Sequence, residues 1–180
     1  MKISVEIKLL ITFCVCVTFN LNAQTSNINF PDDFFGNYTG ILDIHNTKGI
    51  TKYPMEFQLQ PSDSLGHYQY TLIYGDGDNK QVRPYTLKAI NKDNGTYIID
   101  ENNGIILDEK VIENRMYTIF EVGGTLLTTF ITFEENQMLF EIVVIKVANK
   151  NSSGGTSEEI PEVFSYPITT VQRAILTKEK

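Results

Sequence analysis

An all-β fold is predicted: an antiparallel up-and-down β-barrel of about 8–10 strands. Three observations lead there. Apolar residues recur at every second position through most of the chain. Short stretches rich in Gly, Asn and Asp break these runs at close intervals. No long stretch keeps a helical period. Connections this short make sequential strands neighbours. A meander of many strands leaves two exposed edges, and closure on itself removes them. A two-layer sandwich is the alternative, but its crossings need longer connections.

Composition sets the outer bounds. The chain has 180 residues, 42% hydrophobic and 21% charged, which fits one globular domain and excludes a disordered or collagen-like chain. A net charge of -7 argues against a protein that grips phosphate backbones, so no nucleic-acid partner is expected. Nine Tyr and eleven Phe supply aromatic mass for a core without any Trp.

The first segment reads as an address. Lys2 and Lys8 precede the apolar run Leu9 to Leu21, and Ala23 follows as a small residue at a cut. This is the layout of a signal peptide over residues 1–23, leaving a single barrel domain over 24–180. The apolar run has 13 residues, short of the roughly 20 that a membrane-spanning helix needs. Cys14 and Cys16 both lie inside it, so a chain cut after Ala23 has no disulfide, thiolate metal site or cysteine nucleophile. Gln24 as the new terminus, the short leader and the missing disulfides point to a secreted or periplasmic protein of a Gram-negative envelope.

The strands follow in order. Tyr38, Gly40, Leu42 and Ile44 share one face, and the turn Asn46 to Gly49 ends that run. Tyr53, Met55, Phe57 and Leu59 share the next, ended by the polar loop Pro61 to Gly66. Tyr68, Tyr70, Leu72 and Tyr74 come third, before Gly75 to Asn79. Tyr85, Leu87 and Ala89 come fourth, before Asn91 to Gly95. Asn103-Gly104 sits between Tyr97 to Asp100 and Ile105 to Leu107 and supplies the positive φ of a tight hairpin. Arg115 to Val122, Thr125 to Phe133 and Met138 to Val147 follow, separated by Gly123-Gly124 and Glu134 to Asn136. The one long connection, Asn149 to Tyr166, opens with a flexible polar stretch, and Thr156 with Glu159 suits the cap of one helical turn. A last strand, Thr169 to Thr177, is placed to seal the barrel against the first.

The segment Asn29-Phe30-Pro31-Asp32-Asp33-Phe34-Phe35-Gly36-Asn37-Tyr38 resembles the opening motif of lipocalins, calycin-type barrels in which Gly-x-Trp starts the first strand. Gly36 matches the motif glycine, and Tyr38 stands where the Trp would be. The resemblance implies that a short turn plugs one end, and that Arg173 of the final strand stacks on the Tyr38 ring. The Thr-Asp-Tyr loop motif of lipocalins is missing, and no His follows His67, so the haem site of the related nitrobindin-type barrels is not implied. The stretch Gly155 to Glu162 also resembles uncharacterised bacterial envelope proteins, which brings no activity with it.

Reactive machinery is sparse. His45 and His67 are the only histidines, and no Gly-x-Ser-x-Gly elbow offers a serine. Asp76-Gly77-Asp78-Asn79 lacks the twelfth-position Glu of a calcium loop and reads as a hairpin tip. Asp100-Glu101 and Asp108-Glu109 flank one turn and read as a solvated edge. No enzyme activity, metal or cofactor is therefore expected. Glu56, Lys88 and Glu141 on the second faces argue against insertion in a membrane. Polar residues on otherwise apolar faces suggest a pocket with a few anchors: Tyr68, Tyr70, Arg115, Tyr117, Phe130 and Glu141 are the expected ligand-binding residues. Gly36, Tyr38 and Arg173 are the expected closure residues. The expected function is binding or carriage of a small hydrophobic molecule, the alternative a ligand-free structural or interaction module of the envelope.

Overall fold

A computed structural model describes residues 28–180. The proposed leader, including the cut near Ala23, lies outside the described residues. Twelve strands follow a short 3-10 turn, Asp32–Phe34. They are β1 Gly36–Asn46, β2 Gly49–Pro61, β3 His67–Tyr74, β4 Gln81–Asn91, β5 Thr96–Asp100, β6 Ile106–Ile112, β7 Arg115–Val122, β8 Thr125–Phe133, β9 Gln137–Lys146, β10 Asn151–Ser153, β11 Val163–Ser165 and β12 Ile168–Lys178. Ten of these close into an antiparallel up-and-down barrel, in the order β1-β12-β9-β8-β7-β6-β5-β4-β3-β2. The final strand does meet the first, from Tyr38 opposite Lys178 to Asn46 opposite Thr170. No edge is left unpaired in the barrel, which is the physical reason a meander of this length closes.

The long connection folds differently from the expectation. No helical turn forms at Thr156; instead β10 and β11 pair as a two-stranded ribbon outside the barrel, with Ser157 bridging Ile160 at its tip. Gly154 and Gly155 both hold positive φ there, a backbone that ends a strand rather than starting a helix. Among the described residues, no helix is long and apolar enough to cross a membrane.

The alternating faces behave as a pleated strand requires. Tyr38, Leu42, Met55, Phe57, Leu59, Tyr70, Leu72 and Leu87 all point inward and are buried. The two ends of the barrel are filled unequally. At the end where β1 starts, Phe30 and Phe34 drop in as a plug. Phe34 stacks on Phe133 at 5.1 Å between ring centroids, and Phe30 meets Tyr97 edge-on at 5.4 Å. Phe133 in turn touches Tyr38 and Phe57. The phenols are tied down as well: Tyr38 donates to the Phe34 carbonyl at 2.7 Å and Tyr97 to the Phe30 carbonyl at 3.1 Å. Lys92 fastens the plug from outside through Asp32 at 3.1 Å.

Two closure residues act as the resemblance did not foresee. Arg173 points outward and faces Glu141 at 3.6 Å, so it does not stack on Tyr38. The cation over the Tyr38 ring is Lys178, at 5.7 Å from the centroid, because Lys178 is the direct cross-strand partner of Tyr38 and Arg173 lies opposite Asp43. A Cβ on Gly36 would meet the Lys178 side chain at 2.5 Å, so Gly36 leaves room for that lysine. Gly40 is held more strictly, since a Cβ there would lie 2.6 Å from the Ile175 carbonyl oxygen.

Candidate ligand-binding cavity

The opposite half of the barrel is open. A cavity of about 1000 Å³ remains there. Its wall is made by Leu42 and Ile44 of β1, Leu72 of β3, Leu127 of β8, and Phe140 and Ile142 of β9. Tyr70, Tyr74 and Tyr85 bring phenol groups into one side, while Thr118, Thr129 and Gln172 add small polar points to the other. This is an apolar chamber with a few hydrogen-bonding groups, the usual make-up of a small-molecule site. Its mouth lies between Lys52 to Pro54 and the Gly75 to Lys80 loop. A backbone bond from Gly75 to the Pro54 carbonyl, 2.9 Å, fixes that rim.

Electrostatics differ between wall and rim. Burial pushes the Tyr74 hydroxyl up to about 12, with Arg83 opposing the shift from 5.1 Å over its ring. Burial also raises Tyr85, with Glu101 adding to the shift and Arg83 opposing it. Tyr70 is raised further by burial and by the nearby Glu109. The phenols therefore stay neutral and serve as donors or acceptors. Rim charges are mixed: Lys52, Lys80 and Arg83 against Asp76, Asp78 and Glu101.

The six expected ligand residues part company here. Tyr70 lines the cavity. Tyr68 is inward but belongs to the plugged end, against Phe35 and beneath the Lys92 ammonium. Arg115, Tyr117, Phe130 and Glu141 are corrected: they sit on the outside of the barrel. The Arg115 guanidinium lies 4.8 Å from the Phe130 ring and 5.2 Å from Tyr117, and those two rings meet edge-on at 5.7 Å. Glu141 is opposite Phe130 on the same outer surface. The inner residues of these strands are instead Met116, Thr118 and Phe120, then Thr129 and Ile131, then Phe140 and Ile142. Both faces of these strands carry similar apolar content, and a one-residue choice inverts every side chain.

One interior group was missed. Glu109 is 3% exposed, on the inner face of β6, directly opposite Tyr97 and between Leu107 in the cavity wall and Val111 in the packed core. Thr118 donates its hydroxyl to Glu109 Oε2, while Oε1 has no partner. Burial pushes this carboxyl up to about 8 against the pull of Thr118 and the Tyr117 backbone. The available signal was the β6 alternation, which puts Leu107, Glu109 and Val111 on one face. The neighbouring acids do not gather with it. Asp100 pairs with Lys88 at 2.6 Å outside, which holds its carboxyl below the usual range. His45 lies at the open end and His67 at the plugged end, so no histidine joins either to a reactive pair. Among the described residues, no group of three His, Cys, Asp or Glu is placed to hold a metal.

Comparison with known proteins gives the fold a context. No family model matches the chain, and no curated protein matches it in sequence. Two solved structures resemble it in fold. An S-type phycobiliprotein lyase, CPES, from Guillardia theta superimposes with a TM-score of 0.57 at 6% identity, covering 83% of this chain and 90% of that one. A protein of unknown function from the DUF3598 family of Nostoc punctiforme superimposes with a TM-score of 0.58 at 9% identity, covering 84% of this chain. This chain spans 50% of that protein's length. The barrel is similar to these two structures in architecture, at identities that speak for fold alone.

Proposed function

We propose that this protein is an exported, non-enzymatic carrier that holds one small hydrophobic molecule in the open half of its barrel. The observation that carries the reading is the chamber of about 1000 Å³ walled by aliphatic and aromatic side chains, next to a half of the same barrel packed solid. An interior that merely stabilised the fold would be filled throughout, since voids forfeit dispersion contacts. The resemblance of Asn29 to Tyr38 to the lipocalin opening, together with the closed ten-stranded barrel, supports a single interior site at the level of architecture. The leader-like opening of the sequence supports export to the envelope.

The test is titration with N-phenyl-1-naphthylamine, a neutral fluorescent probe, alongside native mass spectrometry. A one-to-one complex is expected. Thr129→Trp, which puts a large ring into the cavity and introduces the chain's sole Trp, is expected to weaken probe binding while the protein stays folded. Equal probe binding by this variant would overturn the reading.

A second reading has one observation behind it. Val163, Phe164 and Tyr166 are exposed on or beside the β10–β11 ribbon, as a contact surface for another envelope protein would be. Deleting residues 151–165 and repeating a pull-down from the envelope fraction tests it; an unchanged set of partners would remove its support.

A further inference from the structure

Within the barrel interior, Glu109 is a polar group that the fold alone does not account for. Its Oε1 is buried without a hydrogen-bond partner, a state that costs free energy unless something else supplies one. The groups facing it from neighbouring strands are phenols and neutral side chains: Tyr70 from β3, Tyr97 from β5, and Met116 and Thr118 from β7. Among the described residues Glu109 forms no ion pair; of the inward cations, Lys178 lies over the Tyr38 ring at the plugged end and Arg83 over the Tyr74 ring in the cavity wall. It sits just beneath the cavity wall rather than in it: the wall ends at Leu107 and Thr118, and Glu109 is one inward position below Leu107 and hydrogen-bonded to Thr118.

We propose that Glu109 is the anchor for a cationic amine, and that the ligand is an apolar molecule with a single protonated amino group inserted amine-first. This inference rests on the carrier reading above and names its ligand class. Three features fit. The carboxyl lacks a cation of its own, so an ammonium supplies both the missing hydrogen bond and the missing charge. Tyr70 and Tyr85 in the cavity wall offer phenol oxygens that accept from an ammonium, while the Tyr74 ring is already covered by Arg83 at 5.1 Å. The aliphatic wall from Leu42 to Ile142 accepts the rest of the molecule.

Proton balance gives the proposal its signature. With its carboxyl held up to about 8, empty Glu109 is protonated at neutral pH. A protonated amine entering the site forms a carboxylate–ammonium pair, and the carboxyl proton leaves to solvent. Binding well below pH 8 therefore releases close to one proton, and affinity there rises about tenfold per pH unit, levelling off as Glu109 ionises by itself.

The experiment compares n-decylamine with 1-decanol by calorimetry at pH 6, 7 and 8, in two buffers of different ionisation enthalpy. Decylamine is expected to gain about tenfold from pH 6 to 7 and about fivefold from pH 7 to 8 and to release a proton, while decanol binding stays flat. In Glu109→Gln, which keeps size and hydrogen bonding, decylamine is expected to lose its slope and fall to the level of decanol. Decanol binding with decylamine no tighter and independent of pH would overturn the amine proposal and leave the carrier reading standing. Failure of both compounds to bind would overturn the carrier reading itself. The wild-type comparison decides even if the variant does not fold.

Discussion

The plugged and open halves of one barrel are built from the same ten strands, yet they do opposite things. In the plugged half, rings from three sequence-distant segments converge: Phe30 and Phe34 from the turn, Phe57 from β2 and Phe133 from β8. Their hydroxyl-bearing neighbours Tyr38 and Tyr97 bond to the plug backbone, so the polar atoms there are satisfied within the protein. In the open half, phenols line the cavity, and at the boundary between the halves Glu109 keeps one oxygen without a partner. One half is packed for stability, and the other leaves the space that the proposed carrier role needs. Stability can be concentrated where function is not, because barrel closure ties both halves to one hydrogen-bonded frame.

That contrast can be broken most forcefully at the rings. Phe133→Ala is expected to cost about 3–5 kcal/mol, since it removes a fully buried ring from the centre of the plug. Phe120→Ala, on a half-buried residue beside existing open space, is expected to cost well under half of that. Urea unfolding of the two variants checks the ratio; equal losses would mean that the halves are not energetically distinct.

The buried carboxyl gives the next largest effect. Glu109 has its folded-state value raised from 4.5 to about 8, so between these pH values the folded protein holds a proton that the unfolded chain has released. Stability then falls as pH rises through this window, with a limiting slope of about 1.4 kcal/mol per pH unit. Glu109→Gln is expected to flatten the dependence, as read from thermal midpoints between pH 5 and 9. A wild-type profile that rises across that range would contradict the assignment.

Smaller effects sharpen how the seam closes. Gly40→Ala is expected to destabilise by about 1–3 kcal/mol, because the added methyl runs into the Ile175 carbonyl of the partner strand. Lys178→Met should cost about 0.5–1 kcal/mol by removing the cation from the Tyr38 ring. Arg173→Ala, on an exposed pair with Glu141, should cost about 0.5 kcal/mol or less. Chemical denaturation of the last two variants ranks them; a greater loss at Arg173 would restore the pairing that the lipocalin resemblance implied.

Much of the barrel was legible in the chain because its first four runs alternate cleanly. Tyr38, Phe57, Leu72 and Leu87 each have more polar neighbours on the opposite face, so the inward direction follows from period two. The turn residues fixed the meander, and the meander fixed closure. The site was harder to read. In β7 to β9 both faces carry aromatic or branched apolar residues, and nothing local says whether Tyr117 or Phe120 points inward. Arg115 and Glu121 on one face were the hint, since two charges in step mark the solvent side. Glu109 was hidden for a related reason. Beside Asp108 it looks like part of an exposed acidic hairpin, and its alternation with Leu107 and Val111 gains its meaning once the register sets it opposite Tyr97. The ribbon of β10 and β11 depends on pairing across a loop, which no local period encodes.

The most direct measurement is intermolecular NOE spectroscopy of the protein, labelled at its leucine methyls, with bound 1-decanol. Cross-peaks are expected to Leu42, Leu72, Leu107 and Leu127 around the cavity, and none to Leu59, Leu87 or Leu176 in the packed half. Cross-peaks confined to the outer Leu139, or spread evenly over both groups, would contradict a barrel with one solid half and one half made to be occupied.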